Sequence, residues 1–187
     1  ERRMIPMKKL MKKALVGILA ATMMLGSVCT AYAATGSATV APAPVKENDV
    51  KTDKGTVNTH ADGTITVKAL AKTNAKSVAV ASKITVDGIS YKVTKICEGT
   101  FKKATKATKV TLPATVKTIG TRAFTGAKSV KTIVIKSSSV KVSKTAFKGV
   151  STKNMTIKVT NMSTKQVKSL KAQLKKAGFK GTVKVVK

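Results

Sequence analysis

Val116-Lys-Thr-Ile-Gly-Thr-Arg-Ala-Phe-Thr-Gly-Ala127 decides the fold, because its frame returns along the chain. Phe101, Phe124 and Phe147 stand 23 residues apart. Ile96, Ile119 and Val142 keep the step, and so do Cys97, Gly120 and Ser143. Val110 and Leu112 are followed at the same interval by Ile133 and Ile135. The third turn reads as one residue short, which makes Met155 and Ile157 the next pair. A fixed period of about 20–50 residues is the signature of stacked repeat units. One such unit cannot bury its apolar side alone. Stacked units bury columns of like residues, so each Phe is expected to pack on the Phe of the next coil.

Within one unit the spacing separates the elements. Ala107-x-x-Val110-x-Leu112 and Val130-x-x-Ile133-x-Ile135 end in a period-2 pair, which predicts a short strand. Val116-x-x-Ile119 predicts a second one. The Ala-Phe pair predicts a tight corner plugged by the ring, and Gly126 and Gly149 give that corner its freedom. The expected class is mainly β: a short leucine-rich-repeat-type solenoid of about three coils, residues 92–160.

Leu112-Pro-Ala-Thr-Val-Lys-Thr-Ile-Gly-Thr-Arg-Ala-Phe-Thr-Gly-Ala127, followed by Val130-Lys-Thr-Ile-Val-Ile135, resembles the BspA-like leucine-rich repeats of bacterial surface proteins. The resemblance runs over roughly residues 88–160. The chain departs from the pattern where a Cys often follows the Ala-Phe pair; Ala104, Ala127 and Val150 stand there. Its first coil has Thr100 in place of the Ala. The resemblance implies an extracellular repeat module of the kind found in adhesins, with no catalytic residues.

Outside the coils, composition divides the 187 residues. Lys8, Lys9, Lys12 and Lys13 precede an apolar run of 15 residues, Ala14 to Val28, and Ala31-Tyr32-Ala33 closes it. Residues 1–33 therefore read as a signal peptide, starting at Met7 and cleaved before Ala34. The run is short of the roughly 20 residues a spanning helix needs. Val28 is too large for a lipobox around Cys29. Residues 34–56 lack periodicity and read as a disordered linker. Residues 57–91 read as a β-rich N-terminal cap, with Asp87-Gly88 as a two-residue hairpin turn. Residues 161–187 read as a helix-strand C-terminal cap. Ser163 and Gln166 form a capping box, Val167, Leu170, Leu174 and Ala177 recur at helical spacing, and Gly178 stops the helix.

The charge is extreme. The full chain is formally +30, and the part beyond residue 33 carries 31 Lys/Arg against six Asp/Glu, a net +25. Such a charge favours anionic partners. An anionic cell-wall polymer, an acidic glycan or a host surface protein suits it; nucleic acid could be held only non-specifically, since no aromatic is spare for base stacking. The candidate ligand face is Lys95, Lys117 and Lys141 from one strand layer with Lys109 and Lys131 from the other. The competing explanation is that Lys is simply the solvated outward residue of each strand. A passive envelope protein held by charge on wall polymer is the alternative function.

Catalysis has little to work with. His60 is the only histidine, and no carboxylate pair or metal-ligand spacing accompanies it. Neither an enzyme, a cofactor nor a metal site is expected. Leu112-Pro-Ala-Thr115 imitates a sortase signal, but Val116 follows it and the residues belong to the repeat. Glu98 is expected to pair with a lysine. Cys97 is the one cysteine beyond the signal peptide: a buried thiol or an interchain disulfide. Location is expected to be secreted and cell-surface associated.

Overall fold

The computed structural model describes residues 43–71 and 74–186. The chain divides after Thr39, and every described residue lies in the second unit, Val40–Lys187. The expected signal peptide and the first part of the expected linker lie outside the described residues.

The protein is mainly β. The strands are β1 (Val50–Thr52), β2 (Gly55–Thr59), β3 (Thr64–Leu70), β4 (Ser77–Ala79), β5 (Lys83–Val86), β6 (Ile89–Ile96), β7 (Lys109–Leu112), β8 (Thr118–Ile119), β9 (Thr132–Ile135), β10 (Lys141–Val142) and β11 (Thr156–Val159). Helix α1 (Thr164–Lys176) and strand β12 (Thr182–Val185) complete the chain. One sheet runs β1-β2-β3-β6-β8-β10, with β5 on β6; the other runs β12-β11-β9-β7-β4. The second sheet is parallel throughout.

Each 23-residue unit thus gives one strand to each sheet, and the register follows the repeat. Ile96, Ile119 and Val142 are partners in the first sheet, and Val110 and Ile133 in the second. All five are buried. The three phenylalanines stack between successive repeat units, Phe101 on Phe124 with centroids 4.8 Å apart and Phe124 on Phe147 at 5.0 Å. Such offset ring pairs add to the burial of the rings themselves. Phe179 closes the column, tilted 52° on Phe147 at 5.2 Å.

The register corrects one expectation. Ile133 pairs with Ile157 and Ile135 with Val159, so the third turn is one residue longer than the others, not shorter, and Met155 is not in the column. Met155, Ile157 and Val159 are all buried. A slip of two along a strand keeps the same face inward, so alternation alone could not choose between them.

The linker expectation over 34–56 also fails at its end. Val50–Thr52 pairs antiparallel with Gly55–Val57 across the Asp53-Lys54 turn. Residues ahead of β1 are held too: Glu47 N–H donates to Thr59 Oγ1 at 2.9 Å, and Thr59 Oγ1 donates to the Val45 carbonyl at 2.8 Å. The composition is polar, but the backbone finds partners on the neighbouring strand. In the predicted N-terminal cap, β4 pairs with β7 and extends the second sheet. The Asp87-Gly88 turn joins β5 to β6 with both residues at positive φ, 48° and 82°.

Two substitutions in the repeat have local causes. Thr100, where later units have Ala123 and Ala146, is buried and donates to the carbonyls of Val67 and Cys97 at 2.9 Å. Facing β3 rather than another repeat unit, its hydroxyl finds partners there, including the Val67 carbonyl that also accepts from the Cys97 amide. Gly120 is required because a Cβ there would lie 2.7 Å from the Ile96 carbonyl oxygen.

Helix α1 has the predicted capping box: Gln166 N–H donates to Ser163 Oγ, and Ser163 N–H donates to Gln166 Oε1 at 2.7 Å. Val167, Leu170 and Leu174 are its buried face. It packs against β10, whose Val142 N–H donates to Gln173 Oε1 at 2.8 Å. The helix thereby closes one end of the first sheet.

Candidate functional site

The candidate lysines are all exposed, and those of each layer stand at two registers. Lys95 and Lys141 share one column with Thr118 between them. Lys117 precedes that column by one residue, where its N–H donates to the Thr94 carbonyl. Lys109 pairs with Thr132, so Lys131 is likewise one position out. The lysines of each layer are therefore interleaved with threonine. Lys95 and Lys141 stand two strand spacings apart, about 10 Å. The interleaving keeps like charges off directly adjacent positions, which would destabilise the ladder.

Two places break that rule. Lys83 faces Lys92 across β5 and β6. Lys158 faces Lys184 across β11 and β12. The second pair was missed from the sequence, although Thr156-Ile-Lys-Val159 and Thr182-Val-Lys-Val185 are nearly the same tetrapeptide and could have revealed it.

Acidic groups are segregated from this charge. No Asp or Glu follows Glu98, while residues 99–187 contain 22 Lys/Arg. Asp49 pairs with Lys68 and Asp53 with Lys54 at 2.8 Å. Glu98 meets Arg122 at 3.4 Å rather than a lysine. All these pairs are exposed and contribute little to stability. Asp53 is held below the usual carboxylate range by its bond to Lys54, and Asp62 by the hydroxyl and amide of Thr64. Both are turn residues facing solvent.

His60 Nε2 lies 2.9 Å from Thr66 Oγ1. Among the described residues no cluster of His, Cys, Asp and Glu could hold a metal ion, and no helix is long and apolar enough to cross a membrane. Cys97 is a free thiol and only half-buried, less enclosed than the buried thiol the sequence suggested. Arg122 stands at a corner with φ of 48°, in the region glycine prefers; Gly99 holds the equivalent place one repeat earlier at 68°.

Shallow grooves flank α1. One lies between the helix and β12, with Leu174, Phe179 and Val183 as its floor and Lys171 and Lys175 on its rim. Another lies between α1 and the β10 region, lined by Lys141, Met162, Gln166 and Leu170 among others.

A mainly β chain whose repeat supplies parallel ladders around a phenylalanine column is a leucine-rich repeat protein. The model of the BspA type leucine-rich repeat region, a region of six copies, matches residues 94–187, and the chain belongs to that family. Among solved structures it is similar to a leucine-rich repeat protein from Bacteroides capillosus: 21% identity, 75% of this chain, 100% of the other, TM-score 0.50. It also matches a leucine-rich cell surface protein from Faecalibacterium prausnitzii at 19% identity, with 78% of this chain, 43% of the other and a TM-score of 0.47. The first likeness supports the fold. No curated protein matches the chain.

Proposed function

We propose that this chain is a non-catalytic, secreted repeat module, retained at the cell surface and binding anionic partners by its basic body. In this reading the two ladders and the phenylalanine column form a short solenoid of three coils. The signal peptide, residues 1–33, is removed before Ala34. The observation that carries the reading is the acid-free stretch, 22 Lys/Arg and no carboxylate over residues 99–187. A stretch with no acidic residue of its own holds a cloud of anions, and a polyanion that replaces them gains the entropy of their release. An anionic wall polymer or an acidic glycan is the partner class. The family resemblance supports the surface location.

The interleaved lysines favour a spread-out polyanion over a compact ligand. Among the described residues Arg122 is the one arginine, so planar, bidentate recognition is hardly available, and lysine acts as a point charge. Retention of the processed chain on wall teichoic acid or heparin at low salt tests the proposal. We expect steep loss of retention as the Debye length falls from ~10 Å at 0.1 M to ~3 Å at 1 M. No retention at low salt would overturn it. Equal loss when Lys95, Lys117 and Lys141, or instead three lysines of α1, are replaced by Gln would make the protein a passive, charge-held one. The protein's distribution between wall and medium checks the location.

A further inference from the structure

We propose that the outer edge of β12 is a docking site for an acidic polypeptide segment, which adds to the second sheet as a further strand. This goes beyond the polyanion reading and does not depend on it.

The backbone gives the first reason. The N–H groups of Thr182 and Val186 donate to Met155 and Val159 of the β11 segment, both at 2.9 Å. Alternation then turns the amides and carbonyls of Val183 and Val185 the other way. No strand lies on that side among the described residues. Val185 and Val186 are 55% and 41% exposed, and they are two of the three large apolar residues so exposed among the described residues. The apolar groove floor of Leu174, Phe179 and Val183 adjoins this strand. An unpaired strand with exposed β-branched side chains and a groove beside it is what strand addition uses: the backbone supplies affinity and alternate side chains supply choice.

Charge chooses the occupant. Lys171 and Lys175 rim the groove, and Lys184 stands on β12 beside Lys158. Lys168 and Lys171 are three apart on α1, Lys171 and Lys175 four apart, so like charges also neighbour one another along the helix. A second copy of this end brings the same cations and is repelled. Lysines at a free edge guard it against self-pairing. The same lysines attract an acidic strand, whose carboxylates would relieve the repulsion between Lys158 and Lys184.

The test uses the full chain and a fluorescent dodecapeptide of alternating Glu and Val, with poly-L-glutamate as a charge-only probe. The peptide is expected to bind more tightly than poly-L-glutamate of equal charge. Binding should protect the Val183 and Val185 amides from hydrogen exchange. Val185→Pro removes an outward donor that β11 does not use, and an edge strand tolerates it. It should retain the melting temperature yet bind the peptide about tenfold more weakly, the scale of one or two lost hydrogen bonds. K171Q/K175Q/K184Q should weaken the peptide as well. If Val185→Pro fails to fold, exchange protection in the unmodified chain decides alone. Equal binding of both probes, no protection at Val183 and Val185, or no peptide binding at all overturns the proposal. A dimer in sedimentation that Val185→Pro dissolves would also overturn it, since a second copy would then be the occupant.

Discussion

Phe124 has a ring on each side, at 4.8 and 5.0 Å, and is fully buried. Phe124→Ala is expected to cost about 3–5 kcal/mol, the usual loss for a buried ring. A small domain is stable by only about 5–15 kcal/mol, so the thermal midpoint should fall sharply; a midpoint within a degree or two of the parent would contradict the stacked column. Gly120 gives the opposite kind of residue, chosen for what it lacks. Gly120→Val forces a Cβ against the Ile96 carbonyl, where 2.7 Å leaves no room. We expect a loss of about 1–3 kcal/mol from the displaced strand, measured by denaturant unfolding. Its column-mates Cys97 and Ser143 carry small side chains in the neighbouring repeats, whereas the close Ile96 carbonyl leaves no such room here.

At the scale of elements, the sequence disclosed whatever repeats or is capped. The Phe column, the strand pairs of β7 and β9, the Asp87-Gly88 turn and the ends of α1 all rest on local chemistry that a reader can count. What it concealed depends on pairing between distant segments. The slip from Met155–Ile157 to Ile157–Val159 conserves the buried face, so no pattern could reject it. The places of Lys117 and Lys131 were countable, since each stands 22 residues, not 23, after Lys95 and Lys109; β1, by contrast, forms in a polar segment because β2 is there to pair with it. The interleaving of lysine and threonine has a direct test. Thr118→Lys places three cations in one column at adjacent strands, Lys95, residue 118 and Lys141. A cost of about 0.2–1 kcal/mol per like-charged pair is expected, shrinking as salt is added; a salt-independent cost would mean a packing defect instead. Closure by α1 is testable too. Gln173→Ala strips the acceptor from the Val142 amide, at 2.8 Å. It should cost about 1 kcal/mol and speed exchange at Val142, while deletion of residues 163–187 should bare Ile157 and Val159 and give aggregation.

The whole molecule is governed by positive charge that its few acids cannot match. Seven acids, none after Glu98, cannot offset the chain's 37 Lys/Arg, 22 of them in residues 99–187, so the folded state repels itself while its apolar columns hold it together. Salt should therefore act with opposite signs on its two properties. Raising sodium chloride from about 0.01 M to 1 M shortens the Debye length from ~30 to ~3 Å. That screening should raise the thermal midpoint, because the compact state gains more than the expanded one when self-repulsion is removed. The same change should release the protein from an anionic polymer, because each neutralised phosphate contact no longer frees a counterion into dilute solution. Calorimetry and a salt-gradient elution on the same sample check the pair. A midpoint that falls with salt would mean that attractive pairs such as Lys68–Asp49 and Arg122–Glu98 outweigh the repulsion. That outcome is not expected of exposed pairs, each of which is worth at most about 1 kcal/mol. A rising midpoint with falling retention would identify the lysines as kept at the expense of stability, and so for what they bind.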